Sequence, residues 1–390
     1  MTPSDRLYTA ISGAVPDRVP VMPKIWADLA GNLTGTTFCD IIADPGLALR
    51  VIVEAGLAVG ADAVRQFHFP PRLTERAEGR VYEINRDGKR LGEIDIAGGW
   101  ATHLVDAHTF HLEDPYAIVY HQYWPSWGEP HVSGLEDARR IAVPPKSFYE
   151  EIGCGKQQRN IMQLAGDRMA LAGDLTSATM AFHVCMRGMT EAMIDLIDAP
   201  ELVHAVMDKG AEIAIERGKF LTDLGLKVLR LNDSVGNMSL ISPTAWRTFV
   251  FPRMKLICDE LHHYDRTTRI YCHICGNVTP ILEGLVATGL DCIGPLDPLG
   301  GMNAGEVRQR VGDRVSLMGG VDTLALLRKT PTEVETDARN CIVGAGVKGG
   351  YILGSGCVVP RAAPAENLLA LRRAAERYGT YKEGKLISAL

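Results

Sequence analysis

Short apolar runs alternate with longer segments of helical character along most of this chain. Eight runs are short and apolar enough to be strands buried on both faces. They are residues 18–23, 61–66, 169–174, 228–233, 270–275, 292–297, 315–320 and 350–356. The clearest helical segments between and after them are residues 45–60, 199–225, 242–264, 277–289 and 364–379. Alternating strands and helices predict an α/β fold with a parallel sheet, here a single (β/α)8 TIM barrel formed by one domain over residues 1–390.

Residues 70–165 interrupt this alternation. The run RVYEINRDGKRLGEIDI predicts a β-hairpin that turns around Asp87 and Gly88. An aromatic-rich segment follows, which includes Trp100, Tyr120, Trp124 and Trp127. We interpret the whole region as an insertion that covers the barrel. Its aromatic side chains either pack the insertion onto the barrel or help to form a docking or substrate surface.

Composition narrows the classes of function. The chain has 390 residues, 46% of them hydrophobic, a net charge of −6 and no block of basic residues, which argues against a nucleic-acid partner. Neither a signal-peptide core nor an uncharged apolar stretch of about 18 residues is present, which predicts a cytoplasmic protein without a membrane partner. Nine scattered cysteines are then expected to be mostly thiols.

The working residues of a parallel barrel lie at the carboxyl ends of its strands. Several polar residues occupy such positions here, and we predict that four of them contact a substrate. These are Asp174, Asn232, Asp297 and Asp322. The alternative for each aspartate is that it caps the helix that follows its strand.

The run YCHICGN, residues 271–277, suggests a metal site. Side chains at i and i+2 share one face of a strand, so His273 and Cys275 point the same way and Cys272 points to the other face. Cys357 follows the last predicted strand, where Gly354 and Gly356 permit a close approach of the backbone.

An imidazole and two thiolates with one open position are the ligand set of a catalytic zinc ion. The predicted ligands are therefore His273, Cys275 and Cys357. Asp233 ends the fourth strand, and it either supplies a fourth ligand or holds another ligand in place. The pair His108 and His111 lies in the insertion and is interpreted as part of its surface or of a lid.

Several long segments resemble the uroporphyrinogen decarboxylase superfamily. They are DRLYTAISGAVPDRVPVMP, DAPELVHAVM, LNDSVGNMSLISPTAWRTFVFPRMKLI, HICGNVTPILEGLVATGLDCIGPLD, VSLMGGVDTLALLRKTP and GYILGSGCVVPRAAPAENLLAL. The resemblance implies a single (β/α)8 barrel. One branch of the superfamily comprises metal-free decarboxylases with an arginine-rich loop after the first strand and an aspartate after the next. This chain departs from that pattern, because it has no arginine between Arg18 and Arg50 and no carboxylate between Asp62 and Glu75.

The other branch comprises corrinoid-dependent methyltransferases such as methylcobamide:coenzyme M methyltransferases. They share the HxCG and late GxxC segments, which implies that Zn²⁺ is bound by His273, Cys275 and Cys357. The implied reaction moves a methyl group between a corrinoid (cobalamin) and a small substrate, with zinc activating a thiol acceptor or a methyl donor.

The implied partner is a separate corrinoid protein or free cobalamin. The sequence leaves the oligomeric state open between a monomer and a homodimer, although related barrels are often dimers. Two alternatives stay open. One is a metal-free decarboxylase of a uroporphyrinogen-type tetrapyrrole, and the other is a non-catalytic corrinoid-binding protein.

Overall fold

The structure, a computed structural model, describes residues 1–37, 40–41, 44–65, 74–84, 88–94, 111–121 and 130–387. Its strands are β1 (Ala63–Arg65), β2 (Thr74–Ala77), β3 (Arg80–Ile84), β4 (Arg90–Ile94), β5 (Ala170–Ser177), β6 (Val228–Asn232), β7 (Arg269–His273), β8 (Cys292–Leu296), β9 (Ser316–Val321), β10 (Tyr351–Ser355), β11 (Tyr381–Lys382) and β12 (Lys385–Leu386).

The helices lie between and around these strands. The α-helices are Pro3–Ile11, Ala27–Thr34, Pro45–Ala58, Pro115–His121, Leu135–Arg140, Lys146–Glu151, Cys154–Ala165, Met180–Arg187, Met189–Asp198, Pro200–Asp223, Pro243–Ala245, Phe251–Tyr264, Leu282–Ala287, Ala304–Val311, Thr323–Arg328, Pro331–Ala345 and Ala365–Tyr378. Short 3₁₀ helices span Gly166–Arg168, Thr279–Ile281 and Pro298–Gly300, and Trp246–Val250 forms a π-helical turn. No helix in the described ranges combines the length and apolarity that a membrane crossing requires.

A curled parallel sheet of seven strands dominates the fold, in the order β1-β5-β6-β7-β8-β9-β10. Each of these strands coincides with a predicted one, which confirms an α/β fold built on a parallel sheet. Register places Asn232 of β6 and Gly294 of β8 on either side of His273, the last residue of β7. The carboxyl ends of the strands therefore meet at one edge of the sheet.

The first predicted strand, residues 18–23, forms isolated bridges rather than a regular strand. Met22 N–H donates to the Leu353 carbonyl of β10 at 2.8 Å, and Asp62 N–H donates to the Val21 carbonyl at 2.8 Å. Pro20 and Pro23 have no N–H to donate, which interrupts a regular ladder. The segment nevertheless links β10 to the residue before β1, the two edge strands of the sheet.

A buried carboxylate holds this segment in place. Asp62 accepts hydrogen bonds from Arg6 Nη1 at 2.8 Å and from Arg18 Nη2 at 2.6 Å. The N–H of Val21 donates to Asp62 Oδ2 at 2.8 Å. These contacts fix the chain just before Lys24, which reaches the site described below.

The two faces of the parallel sheet bury different cores. Tyr271 of β7 packs with Met22 and Met318 and with residues of the first helix, inside the curl of the sheet. Its neighbour Cys272 packs with Cys258 in the larger core between the sheet and the outer helices. The prediction that Cys272 points away from His273 is therefore confirmed.

An antiparallel sheet of β2, β3 and β4 lies within the predicted insertion. Val81 of β3 pairs with Ile94 of β4, which is the pairing expected of the predicted hairpin. Asp87, at the predicted turn, lies outside the described residues. The β2–β3 turn was not predicted; Glu78 and Gly79 both have positive φ there, 53° and 75°. Trp100, Trp124, Trp127 and His108 also lie outside the described residues, as does the Tyr120 side chain.

Candidate metal centre

Three potential metal ligands converge at the carboxyl edge of the parallel sheet. His273 ends β7 and Cys275 follows it by two positions, while Cys357 follows the end of β10 by two positions. One ligand atom from each residue lies within 4.8 Å of the other two. His273 is buried and both cysteines are half-buried, so the cluster is accessible from the sulfur side.

The donor set fits a zinc ion. Zinc binds thiolate sulfur at about 2.3 Å and imidazole nitrogen at about 2.0–2.1 Å, so tetrahedral ligand atoms lie roughly 3.3–3.8 Å apart. Small side-chain movements bring three atoms that lie within 4.8 Å into that range. Three protein ligands leave a fourth position for a reactant.

Close backbone packing positions Cys357. A Cβ atom added to Gly354 would lie 2.5 Å from the Met22 carbonyl oxygen, and one added to Gly356 would lie 2.6 Å from Pro298 Cδ. The predicted close approach at these glycines is confirmed. Ser355 Oγ donates to the Cys357 carbonyl at 2.6 Å, which fixes the backbone at the ligand.

Asp297 positions the turn after Cys275. Gly276 has φ of +84° and turns the chain away from β7. Its N–H donates to Asp297 Oδ2 at 3.1 Å. The other oxygen, Asp297 Oδ1, accepts from Leu299 N–H at 3.0 Å and caps a 3₁₀ helix. One carboxylate thus ties the Cys275 loop to the loop that packs against Gly356.

The two thiols influence each other's ionisation. A hydrogen bond with the Cys275 thiol lowers the pKa of Cys357; burial opposes this effect and the charge of Lys24 reinforces it. The same hydrogen bond, together with burial, raises the pKa of Cys275. Cys357 is therefore the thiol that ionises first in the absence of a metal.

Lys24 contacts the imidazole directly, with Nζ at 2.7 Å from His273 Nε2. Burial lowers the pKa of His273 well below its ordinary value, and Lys24, Arg230 and Arg65 lower it further. Burial also lowers the pKa of Lys24, as do the two arginines, while the nearby thiols oppose the shift. The imidazole is thus held neutral, the form that binds metals.

Asp233, the predicted fourth ligand, does not belong to the three-residue cluster. Its Oδ1 accepts from Ala181 N–H at 2.8 Å, and its own N–H donates to the His273 carbonyl at 3.1 Å. Burial raises the pKa of Asp233 to about 6, and hydrogen bonds from Ala181 and Thr179 partly oppose this rise. Its position next to the His273 backbone suits a residue that supports a ligand.

The predicted substrate contacts occupy two kinds of environment. Asp174 is fully buried, and its Oδ2 accepts from Arg230 Nη1 at 2.8 Å. Asn232 accepts from Arg230 and donates to Ser177 Oγ at 3.2 Å. Asp322 accepts from Leu324 N–H at 2.7 Å and caps a helix. Asp297 and Asp322 thus have the geometry of the capping alternative, and substrate contact stays a prediction for all four residues.

Sequence reasoning missed Lys24, Arg65 and Arg230. Arg65 and Arg230 are only 4% and 3% exposed, and Lys24 is half-buried. A basic residue inside an otherwise apolar strand, as in VLRLN of β6, was the available signal. Such a residue is rarely buried without a structural or functional partner.

A family model agrees with this architecture. The model described as uroporphyrinogen decarboxylase (URO-D) matches residues 117–378, about two thirds of the sequence. The chain belongs to the uroporphyrinogen decarboxylase family. The matched region contains His273, Cys275 and Cys357.

Curated relatives of this family member fall into two groups. It is 30% identical over 176 residues to a methylated-thiol–coenzyme M methyltransferase of Methanosarcina mazei (45% of the chain and 44% of that protein). It is 26% identical over 183 residues to the methylcobamide:CoM methyltransferase MtaA of Methanosarcina barkeri (47% and 51%). A uroporphyrinogen decarboxylase of Coxiella burnetii is 27% identical over 194 residues (50% and 52%). The chain thus spans about half the length of these relatives.

A solved structure supports the fold over nearly the whole chain. A methyltransferase from Methanosarcina mazei matches with a TM-score of 0.72 and 19% sequence identity. The match covers 96% of this chain and 98% of that chain. Because the sequence identity is only 19%, this likeness shows that the two proteins share a fold and nothing more.

Proposed function

We propose that this protein is a zinc-dependent methyltransferase that moves a methyl group between a corrinoid and a small substrate. The observation that carries the proposal is the convergence of His273, Cys275 and Cys357 at the carboxyl edge of the sheet. Two thiols and an imidazole in this arrangement are metal ligands, which a metal-free decarboxylase does not require. The names of two relatives, which refer to methylated thiols and to methylcobamide, support the same choice.

The three ligands have distinct tasks in this proposal. His273 supplies a neutral imidazole, and Cys275 and Cys357 supply sulfur donors on the open side of the cluster. A bound zinc ion would keep an acceptor thiol deprotonated, or polarise a methyl donor, in the remaining position. Asp297 and Ser355 hold the two loops so that the sulfur atoms stay together.

In the proposed reaction the methyl group moves from the cobalt of the corrinoid to the sulfur of a thiol, or in the reverse direction. With a thiol acceptor, the thiol proton leaves to solvent and sulfur forms a bond to the methyl carbon. The cobalt–carbon bond of the methylated corrinoid breaks, and its electron pair stays on cobalt. The reverse direction starts from a methylated donor and a reduced corrinoid. The corrinoid comes from a separate protein or from free cobalamin that docks at the carboxyl edge of the sheet.

We propose further that the parallel sheet closes into a barrel around the site. Residues 1–390 form one domain, a closed eight-stranded barrel in which residues 20–22 occupy the eighth strand position. Their hydrogen bonds to β10 and to Asp62 support closure. The region from 70 to 165 is then an insertion on this barrel, and its antiparallel sheet supports that interpretation.

The test combines a metal assay with an activity assay. Purified protein is analysed for zinc, and methylcobalamin demethylation is followed by absorbance with a panel of thiols. We expect about one zinc per chain, and loss of both zinc and activity in Cys357→Ser. Cys341→Ser is the matched control, because Cys341 lies outside the cluster and its Sγ donates to the Gly320 carbonyl, which a serine hydroxyl can also do.

Other outcomes favour the alternatives. A protein that decarboxylates a uroporphyrinogen, unaffected by zinc chelation, would be a decarboxylase, like the relative from Coxiella burnetii. A protein that binds cobalamin but transfers no methyl group would be a corrinoid-binding protein. Either result contradicts the proposal if Cys357→Ser keeps full decarboxylase activity or full cobalamin binding.

A further inference from the structure

A cavity of about 320 Å³ lies at the amino edge of the parallel sheet, beside the first helix (Pro3–Ile11). Ala170 and Val228 line it, and they are the first residues of β5 and β6. Asn232, which pairs with His273, lies four residues after Val228, or about 13 Å along the strand. The cavity is therefore separate from the metal cluster, and its volume falls within the range of roughly 300–1,000 Å³ that small-molecule sites occupy.

The inner wall of this cavity is apolar. Its apolar side chains are Leu7, Met162, Ala165, Met169, Leu171 and Leu226. Leu171 is half-buried, whereas the other seven residues of β5 are buried, as expected where a cavity interrupts the packing. Methionine side chains adapt to ligands of different shapes. The wall therefore suits an apolar group of a ligand.

The outer rim of the cavity carries one carboxylate and one ammonium group. Asp5 and Lys227 line it, and both are exposed. Thr2 donates to Asp5 Oδ2 from its hydroxyl at 2.8 Å and from its N–H at 3.3 Å. No residue in the described ranges donates to Asp5 Oδ1, and none forms an ion pair with Lys227 within 4.0 Å. Both charges are therefore available to a ligand.

Tyr8 brings the two charges to the same side of the cavity. Its hydroxyl donates to the Thr267 carbonyl at 2.9 Å, which fixes the ring. Lys227 Nζ lies 5.7 Å from the ring centroid. Asp5 precedes Tyr8 by three residues in the first helix, so the two side chains are neighbours on one helix face. The ammonium group thus lies near the carboxylate but outside ion-pair distance of it.

We propose that this cavity binds a free α-amino acid with an apolar side chain. The ligand's ammonium group pairs with Asp5, its carboxylate pairs with Lys227, and its side chain packs against the apolar wall. The inference goes beyond methyl transfer and does not depend on it, because the cavity and the metal cluster lie at opposite edges of the sheet.

The charges of the rim select among small amphipathic molecules. A monocarboxylate would leave the Asp5 charge without a partner and close to its own. An amine would leave Lys227 without one. Since a single exposed ion pair contributes little, recognition needs both charges together with burial of the apolar side chain.

A binding experiment tests the ligand class. The thermal unfolding midpoint of the full chain is measured at constant ionic strength with L-leucine, because a ligand that binds only the folded protein raises the midpoint. The comparison compounds are 4-methylpentanoate, 3-methylbutylamine and L-serine, which lack the ammonium group, the carboxylate and the apolar side chain of leucine. We expect a saturable rise with leucine and an apparent Kd about threefold higher or more for each of the others.

Two variants test the rim. Lys227→Met and Asp5→Asn should each raise the apparent Kd of leucine about threefold or more. The asparagine keeps an oxygen that accepts from Thr2, and Lys227 makes no ion pair whose loss would destabilise the fold. Lys348→Met and Asp313→Asn remove the two charges of an exposed ion pair elsewhere, and they should bind leucine like the wild type. Should Asp5→Asn not fold, Lys227→Met alone decides.

Further measurements locate the bound leucine. Amide hydrogen exchange followed by peptide mass spectrometry should slow in residues 3–11 and 162–171 and stay unchanged in residues 271–277. An α-amino acid can also chelate a zinc ion, so Cys357→Ser is the control for binding at the metal cluster. This variant should keep the leucine effect.

The contrary outcomes are equally specific. No saturable effect of leucine, an equal affinity for 4-methylpentanoate, or loss of the effect in Cys357→Ser would each overturn the amino-acid site. None of these results bears on methyl transfer, which zinc content and methylcobalamin demethylation test separately. A leucine effect that Lys227→Met weakens, in a protein that binds no zinc, would support the site and contradict the proposed methyl transfer.

Discussion

Lys24 Nζ and His273 Nε2 lie 2.7 Å apart, although 249 residues separate them along the chain. Lys24 follows the segment that links the two edge strands, and His273 ends β7. The contact brings the Lys24 amine to a cluster of one imidazole and two sulfur atoms. The ionisation of the thiols is therefore expected to depend on Lys24.

Replacing Lys24 should change the ionisation of Cys357 in metal-stripped protein. The Lys24 charge helps to lower the pKa of Cys357, so Lys24→Met should raise it. Loss of an opposite charge at close range corresponds to roughly one pH unit. The midpoint of iodoacetamide alkylation at Cys357, followed by peptide mass spectrometry, should move up by about that amount. Lys348→Met should leave the midpoint where it is, and an unmoved midpoint in Lys24→Met would contradict the assigned cause.

Removing the charge of Asp174 should destabilise the protein strongly. Burial alone would raise the pKa of Asp174, but Arg230 and Arg65 outweigh it and lower the pKa to about 2. Asp174→Asn leaves two buried guanidinium groups without this carboxylate, at an expected cost of about 3–5 kcal/mol. Urea unfolding measures the loss. The exposed Asp313→Asn should stay within about 0.5 kcal/mol of the wild type, and a similar value for Asp174→Asn would show that the ion pairs contribute little.

Asp195 should make stability depend on pH in the acid range. Burial opposes its ionisation, but His183 and Arg187 outweigh burial and lower the pKa of Asp195 to about 2, below the ordinary value of 3.8. A carboxyl with a lowered folded pKa stabilises the protein above about pH 4 and loses that contribution as the pH falls towards 2.

The unfolding free energy of the wild type should therefore fall more steeply from pH 4 to pH 2 than that of Asp195→Asn. The difference should be about 2 kcal/mol, from a shift of nearly two pKa units. Urea unfolding at several pH values gives both slopes. Asp313→Asn should keep the wild-type slope, and parallel slopes for Asp195→Asn and the wild type would contradict the assignment.

A methyl group at Gly356 should weaken metal binding. The added Cβ would lie 2.6 Å from Pro298 Cδ and 3.1 Å from Asp297 Cα, so the backbone that carries Cys357 must move. Displacement of a supporting contact lowers metal affinity by about tenfold or more. Competition with a chromophoric chelator measures the zinc affinity of Gly356→Ala. Gly134→Ala, whose Cβ meets nothing within 4 Å, should bind zinc like the wild type, and equal affinity in Gly356→Ala would refute the packing argument.

The strand framework of this protein could be predicted because its strands are short, apolar and separated by clear helices. The ligand cluster could be anticipated for a related reason, since alternation places His273 and Cys275 on one face and parallel strands end at one edge. Residues 18–23 were less predictable, because their two prolines leave a pairing segment without a regular ladder. The roles of Asp297 and Asp322 were equally open, since an aspartate after a strand suits both a cap and a substrate contact.

Lys24, Arg65 and Arg230 could not be placed from the sequence. Each lies in a different segment, and their proximity follows from the curl of the sheet and not from any local spacing. Asp174 looked like a rim residue because it sits near the end of a predicted strand. In the structure β5 continues to Ser177, so Asp174 lies within the strand and pairs with both arginines.

X-ray absorption at the zinc edge of the purified protein would show whether His273, Cys275 and Cys357 together bind one zinc ion. We expect two sulfur neighbours at about 2.3 Å with nitrogen or oxygen neighbours at about 2.0–2.1 Å. Cys357→Ser should retain at most one sulfur neighbour, whereas Cys341→Ser should retain both. A zinc ion surrounded only by nitrogen and oxygen, or a protein that binds no zinc, would show that these three residues do not form a zinc site.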